Sequence, residues 1–283
     1  MLPCLILAAC APAPRGEAPR RHPTIVSLNP CADAVLAEVA DPGQILAVSQ
    51  FSHDPAASSM GVAAGRRFPA VSGSVEELAA LRPDLVIGDQ FVPNPSATAA
   101  LDRLGLKVER YHIETDLADS EALVRKLARL AGHPARGEAL IGRMRAAVAE
   151  AAPPPGAAPI PAVVWQSGGI VPGEGTLIAD IMRRTGFANF SSARGLRQAD
   201  LLPLEKMLAD PPQVILAAGS PTAEADRLLR HPALAALRGT RREAFPSTLL
   251  WCGGPTVIKA AARLKEIRND LSPALPASGR IAA

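Results

Sequence analysis

The chain has 283 residues, of which 48% are hydrophobic and 20% charged, and its formal net charge is +3. This composition is that of a folded chain large enough for one big domain or two modest lobes, and it excludes a disordered protein. The slight charge, with no basic run longer than Arg-Arg, and an aromatic content of 3% argue against a nucleic-acid partner.

The chain opens on a short apolar run ending Leu7-Ala8-Ala9-Cys10, which resembles a bacterial lipobox although no basic segment precedes it. Residues 1–10 are therefore expected to be a lipoprotein signal segment, with Cys10 the lipidated residue and the cell envelope, or periplasm, the location. Residues 11–23, rich in Pro, Ala and Arg, suit a flexible tether. Cys31 and Cys252 then remain in an oxidising compartment, where they pair, stay free or touch a ligand.

From Thr24 the pattern alternates strand and helix. Thr24–Leu28 reads as a buried strand broken by Asn29-Pro30, Asp33–Val39 as a helix, and Gln44–Val48 as a second strand. Ser74 followed by Glu76 and Glu77 opens a helix over Val75–Leu81. Asp84–Gly88 is a strand, Ala97–Leu104 a helix closed by Gly105, and Lys107–Tyr111 a strand. Alternation of this kind predicts a parallel α/β sheet. Residues 24–133 form this first lobe. Ser120–Ala152 is almost wholly helical, and the part after Gly132-His133-Pro134 makes a long bridging helix over 134–152, stopped by Pro153-Pro154-Pro155-Gly156. The α/β pattern restarts in a second lobe, 153–270. It has strands at Ala162–Trp165, Gln213–Ala217 and Thr248–Trp251. Its helices fall at Leu177–Thr185, Leu204–Ala209, Ala225–Leu229, Ala233–Leu237 and Thr256–Ile267. Residues 271–283 read as a loose tail.

One unit recurs. Glu76 opens a helix seven residues before Pro83 and the strand Leu85-Val86-Ile87; Glu205 opens a helix seven residues before Pro212 and the strand Val214-Ile215-Leu216. Together with Ile25-Val26-Ser27-Leu28-Asn29-Pro30, Val48-Ser49-Gln50-Phe51-Ser52-His53-Asp54-Pro55, Leu104-Gly105-Leu106-Lys107-Val108 and Gly253-Gly254-Pro255, these segments resemble the substrate-binding proteins of ABC importers, in the cobalamin, haem and ferric-siderophore class. The likeness runs from about Thr24 to Ile267. It implies two Rossmann-like α/β lobes with parallel sheets, joined by a single long helix, with the ligand cleft between the lobes. It also implies a monomer, a non-enzymatic role, no intrinsic cofactor, and an ABC permease with its ATPase subunits as partner. Glu76 and Glu205 match the acidic residues with which the class docks on permease arginines.

Ligands of parallel α/β sheets lie beyond the carboxyl ends of the strands. The residues expected there are Asn29, Cys31, Phe51, His53, Asp89 and Phe91 in the first lobe, and Trp165, Gln166, Arg197, Trp251 and Cys252 in the second. A corrinoid calls for apolar walls, of which Phe51 is the clearest match. Haem calls for an axial ligand such as His53, Tyr111 or His112, and an anionic ferric siderophore for cations such as Arg66, Arg67, Arg194 and Arg197. Cys31 and Cys252 leave three readings open: a disulfide between the lobes, a soft metal site shared with His53, or buried cleft lining. A bare-metal cargo needs three or four converging ligands, and His22, His133 and His231, set beside prolines in linkers, suit it poorly. An enzyme using Cys31 and His53 lacks its surroundings, since Gly173-Glu174-Gly175 has no serine and no phosphate loop or dinucleotide fingerprint is present.

Overall fold

The computed structural model describes residues 22–89, 94–219 and 231–271. The first lobe begins with β1 (Ile25–Ser27), three fully buried residues. Asn29 ends it and caps α1 (Pro30–Val39), its Oδ1 accepting from Cys31 N, with Pro30 in the first turn where no amide is needed. There follow β2 (Ile45–Ser49), the short α2 (Val62–Gly65), β3 (Ala70–Val71), α3 (Val75–Leu81), β4 (Leu85–Asp89), α4 (Pro95–Arg103) and β5 (Val108–Tyr111). The five strands are parallel, in the order β3-β2-β1-β4-β5.

Two helices then leave the sheet. α5 (Leu117–Leu130) is capped by Asp116, and α6 (Pro134–Glu150) carries the chain across to the second lobe. That lobe contains β6 (Ile160–Gln166), β7 (Ile170–Val171), α7 (Leu177–Arg184), β8 (Phe187–Asn189), β9 (Asp200–Leu201), α8 (Leu204–Ala209), β10 (Val214–Ala218), α9 (Pro232–Ala235), β11 (Arg241–Ala244) and α10 (Pro255–Leu271). Its main sheet is again parallel, in the order β11-β10-β6-β8, and β7 pairs antiparallel with β9. If β6 is matched with β1, then β10 answers β4, β11 answers β5 and β8 answers β2. The expected pair of Rossmann-like lobes joined by one long helix is thus present, and the second repeats the order of the first.

Strand alternation decides which side chains meet. Ile25 of β1 and Ala162 and Val164 of β6 face one continuous core, shared with Leu36, Leu127, Leu140, Met144, Ile181 and Leu264 of the helices. Val26 faces the opposite side, with Leu78 and Leu101. Val163 and Trp165 do the same in the second lobe, with Met207 and Leu234. The helical layer of α1, α5, α6, α7 and α10 therefore packs on the inner faces of both sheets, and α10 returns from the end of the second lobe to lie against α6 and α1. Such a shared core resists large rotation of one lobe against the other.

The expected strand at Thr248–Trp251 is absent, and the short strands β3, β7, β8, β9 and β11 and the short helix α2 were not expected. Thr248–Trp251 is a 3-10 turn (Ser247–Leu249) followed by irregular chain, and the edge strand is the polar Arg241–Ala244. An edge strand is half solvated, so its polarity hides it from a search for apolar runs. The helix expected at Ala225–Leu229 lies outside the described residues.

Candidate functional site

The carboxyl ends of both sheets meet across a cleft, and its floor is covalent. Cys31, in the first turn of α1, and Cys252, just before α10, form a disulfide with their Cα atoms 4.9 Å apart. Of the three readings of these cysteines the structure shows the first, which removes both thiolates from any soft metal site. His53 is occupied as well. Its Nε2 lies 3.2 Å from the carbonyl of Gly65 and 3.1 Å from that of Phe68, so it carries the proton and donates to both. The metal site imagined from Cys31, His53 and Cys252 is thereby ruled out.

Three large apolar side chains stand exposed around the opening: Phe51, about half exposed in the turn after β2; Ile113 after β5; and Trp251, 57% exposed beside Cys252. Ile113 and Trp251 line one cavity, and exposed apolar side chains gathered in this way are the kind of surface a binding face uses. Beneath them Ile113, Gln166, Gln198, Leu250 and Trp251 bound a small cavity of about 30 Å3, room for little more than a water molecule. A cavity of this size does not admit a bulky ligand. Asn29 and Asp89 are joined at the end of the first sheet, Nδ2 of the former donating to Oδ2 of the latter.

Trp165 is not on this wall. It is fully buried at the next-to-last position of β6, and strand parity turns it into the outer core with Phe190 and Met207. Gln166, one residue on, faces the cleft cavity instead. Tyr111 is likewise core, against Leu117 and Val124, while His112 is exposed on the rim. Arg197 is exposed, and its backbone N donates to Asp200 Oδ2 at 2.7 Å. Arg194 lies away from the cleft. It stacks on Phe190, pairs with Asp210, and lines a separate groove of about 590 Å3 at the amino ends of the second sheet. Phe91 and Cys10 lie outside the described residues.

Glu114 was not anticipated. It follows β5 at the cleft edge, 5% exposed, with Oε1 unpartnered among the described residues. Burial pushes its carboxyl up to about 7, against hydrogen bonds from Gly253 and Ser120 that favour ionisation. Gly253 is glycine for this reason: a Cβ there would overlap Glu114 Oε1 and Ser120 Oγ. A lone Glu in a loop carries no periodic signal, and only the return of α10 buries it.

Glu76 and Glu205 occupy the same place in the two lobes. Each is the second residue of its helix, α3 and α8, nine residues before the first residue of β4 or β10, and each is exposed. Capping is done by the neighbour, Glu77, whose Oε2 accepts from Ser72, Gly73 and Ser74 amides. Glu76 is thus left facing solvent.

Comparison with known proteins agrees with this architecture. Residues 25–243 match the periplasmic binding protein family, and the chain belongs to it. A cobalamin-binding protein of Halobacterium salinarum is 31% identical over 173 residues, 59% of this chain and 46% of the relative. The chain thus spans about half the length of the relatives it matches. Among solved structures, the periplasmic haem-binding protein HutB of Vibrio cholerae superposes with a TM-score of 0.72 at 18% identity, over 88% of this chain and 99% of the other. A periplasmic haem-binding protein of Pseudomonas aeruginosa gives 0.69 at 24%, over 87% and 92%. The vitamin B12-binding protein BtuF of V. cholerae gives 0.64 at 18%, over 87% and 96%. At these identities the likeness is one of fold.

Proposed function

We propose that this chain is the substrate-binding subunit of an ABC importer and that its cargo is a corrinoid, held across the cleft rim between Phe51 and Trp251. The observation that carries the choice of cargo is the pairing of an apolar rim with the engagement of the residues a haem would coordinate. A corrinoid arrives with its metal already ligated and asks mainly for apolar walls and a few polar contacts. Haem asks the protein for an axial ligand; Tyr111 is buried in the core and His53 donates to two carbonyls. The siderophore reading loses Arg194 to Asp210 and Phe190. The 31%-identical cobalamin-binding relative supports the same choice. Haem remains the second reading because His112 stands exposed at the rim.

In this reading Cys10 carries a lipid anchor, residues 11–23 tether the body to the membrane, the protein acts as a monomer, and Glu76 and Glu205 dock on the permease with its ATPase subunits. The first lobe spans 24–133, the bridge 134–152 and the second lobe 153–270. Calorimetric titration with cyanocobalamin and with haemin tests the cargo. One-to-one binding of the corrinoid, retained in His112→Ala, is expected. Binding of haemin alone, lost in His112→Ala, would transfer the assignment to haem.

A further inference from the structure

The end of the first lobe opposite the cleft gathers three potential ligands that the importer reading leaves unused. His22 precedes β1, Asp41 lies between α1 and β2, and His133 caps the start of α6. One ligand atom from each lies within 4.8 Å of the other two. The His22 and His133 ring centroids are 4.4 Å apart, and Asp41 Oδ2 is 3.3 Å from His133 Nε2. A tetrahedral ion with bonds of about 2.0–2.1 Å holds its ligand atoms about 3.3 Å apart. Gln44 Oε1 lies 2.9 Å from the same His133 nitrogen.

We propose that His22, Asp41 and His133, with Gln44 Oε1 completing the set, form a structural site for a borderline divalent cation of the zinc, nickel or copper class. The groups behind these atoms are fixed as ligands usually are. Both amide hydrogens of Gln44 are committed, to the Pro23 carbonyl at 3.0 Å and the Ala131 carbonyl at 2.9 Å, and Oε1 accepts from Asp41 N at 2.8 Å, which leaves its second lone pair for the cluster. Arg136 Nη2 donates to Asp41 Oδ1 at 2.8 Å, which leaves Oδ2 toward His133. Gly132, at φ +83°, lets the His22 ring lie against the backbone, where a Cβ would overlap Nδ1. Arg136 and the positive amino end of α6 both oppose a purely electrostatic ion. The site therefore disfavours calcium or magnesium and depends on imidazole coordination. Coordination through His133 Nε2 uses the neutral tautomer that carries its proton on Nδ1. The ion would clamp the segment preceding β1 to the helix that carries the chain into the second lobe.

The test uses the full chain without a polyhistidine tag, stripped with EDTA and titrated with Co2+. One equivalent, with the strong visible bands of a tetrahedral site, is expected, displaced by Zn2+ and accompanied by a rise in melting temperature. His22→Gln and His133→Gln should each weaken binding by about tenfold or more, and the double variant should lose the bands, with near-ultraviolet dichroism unchanged. His231→Gln, at a separate exposed position, should bind as the parent does. Equal stoichiometry and spectrum in the double variant, or no binding at micromolar metal, would overturn the proposal.

Discussion

Asp33 is completely buried in α1, where Ser52 Oγ (2.6 Å) and Ser49 N (3.0 Å) donate to Oδ2 while Oδ1 meets no partner among the described residues. Burial pushes its carboxyl up to about 8, and that of Glu114 up to about 7. Between the ordinary carboxylate range and these values the folded chain holds protons that the unfolded chain has released. Stability contributed by these two groups therefore falls as pH rises from about 4 to 8. Glu77, Asp119 and Glu121 act oppositely, since hydrogen bonds hold their carboxyls low and the stability they add is lost on acidification below the ordinary range. We expect the melting temperature to peak between about pH 5 and 6, and Asp33→Asn, which mimics the neutral acid, to flatten the decline toward pH 8. An unchanged slope in that variant would show that Asp33 is ionised in the fold. The tryptophans divide at the same scale. Both end apolar runs in the sequence, so pattern alone gave them one role; Trp165 lies in β6 with its side chain in the core, whereas Trp251 lies in irregular chain beside Cys252 and is exposed. Trp165→Ala should destabilise by about 3–5 kcal/mol in denaturant unfolding. Trp251→Ala should leave stability nearly unchanged and weaken corrinoid binding about tenfold or more, as loss of an exposed aromatic anchor does.

Among the elements, α10 does most to shape the site. Its approach needs Gly253 against Glu114 and Ser120, and Gly254 at φ +57° against Val35, with Gly254 N donating to Ser120 Oγ at 2.8 Å. The glycine pair was visible in the sequence, but its reason, contact with two helices more than a hundred residues upstream, was not. The disulfide fixes the same approach across a sequence separation of 221 residues. On chain-entropy grounds a loop of that length is worth about 5 kcal/mol. Reduction, or Cys31→Ser with Cys252→Ser, should lower the melting temperature by roughly 10 °C and loosen α10 in hydrogen exchange. A reduced protein melting as the oxidised one does would show that core packing alone holds α10. The helices and central strands were legible because their apolar residues keep a period. β11, β7 and β9 were not, being short, polar or at sheet edges, where solvent satisfies half of each strand.

The whole molecule is a repeated lobe clasped by shared helices, and the two equivalent glutamates follow from that repeat. Their spacing was readable in the sequence because it is local; their common solvent exposure depends on the fold. If they dock on a permease, Glu76→Lys with Glu205→Lys should abolish stimulated ATP hydrolysis in a reconstituted transporter while calorimetry finds cargo affinity intact. Lost cargo binding would instead place these residues in the cleft machinery. The shared core also predicts that the cleft closes little on binding, so small-angle scattering should give nearly the same radius of gyration with and without ligand. The cleft assignment itself is tested most directly by tryptophan emission during titration with cyanocobalamin, corrected for absorption by the corrinoid. The account predicts saturable one-to-one quenching in the parent protein, reduced in Trp251→Phe, where only buried Trp165 reports. Equal quenching in parent and variant, or none in either, would contradict a corrinoid seated against Trp251.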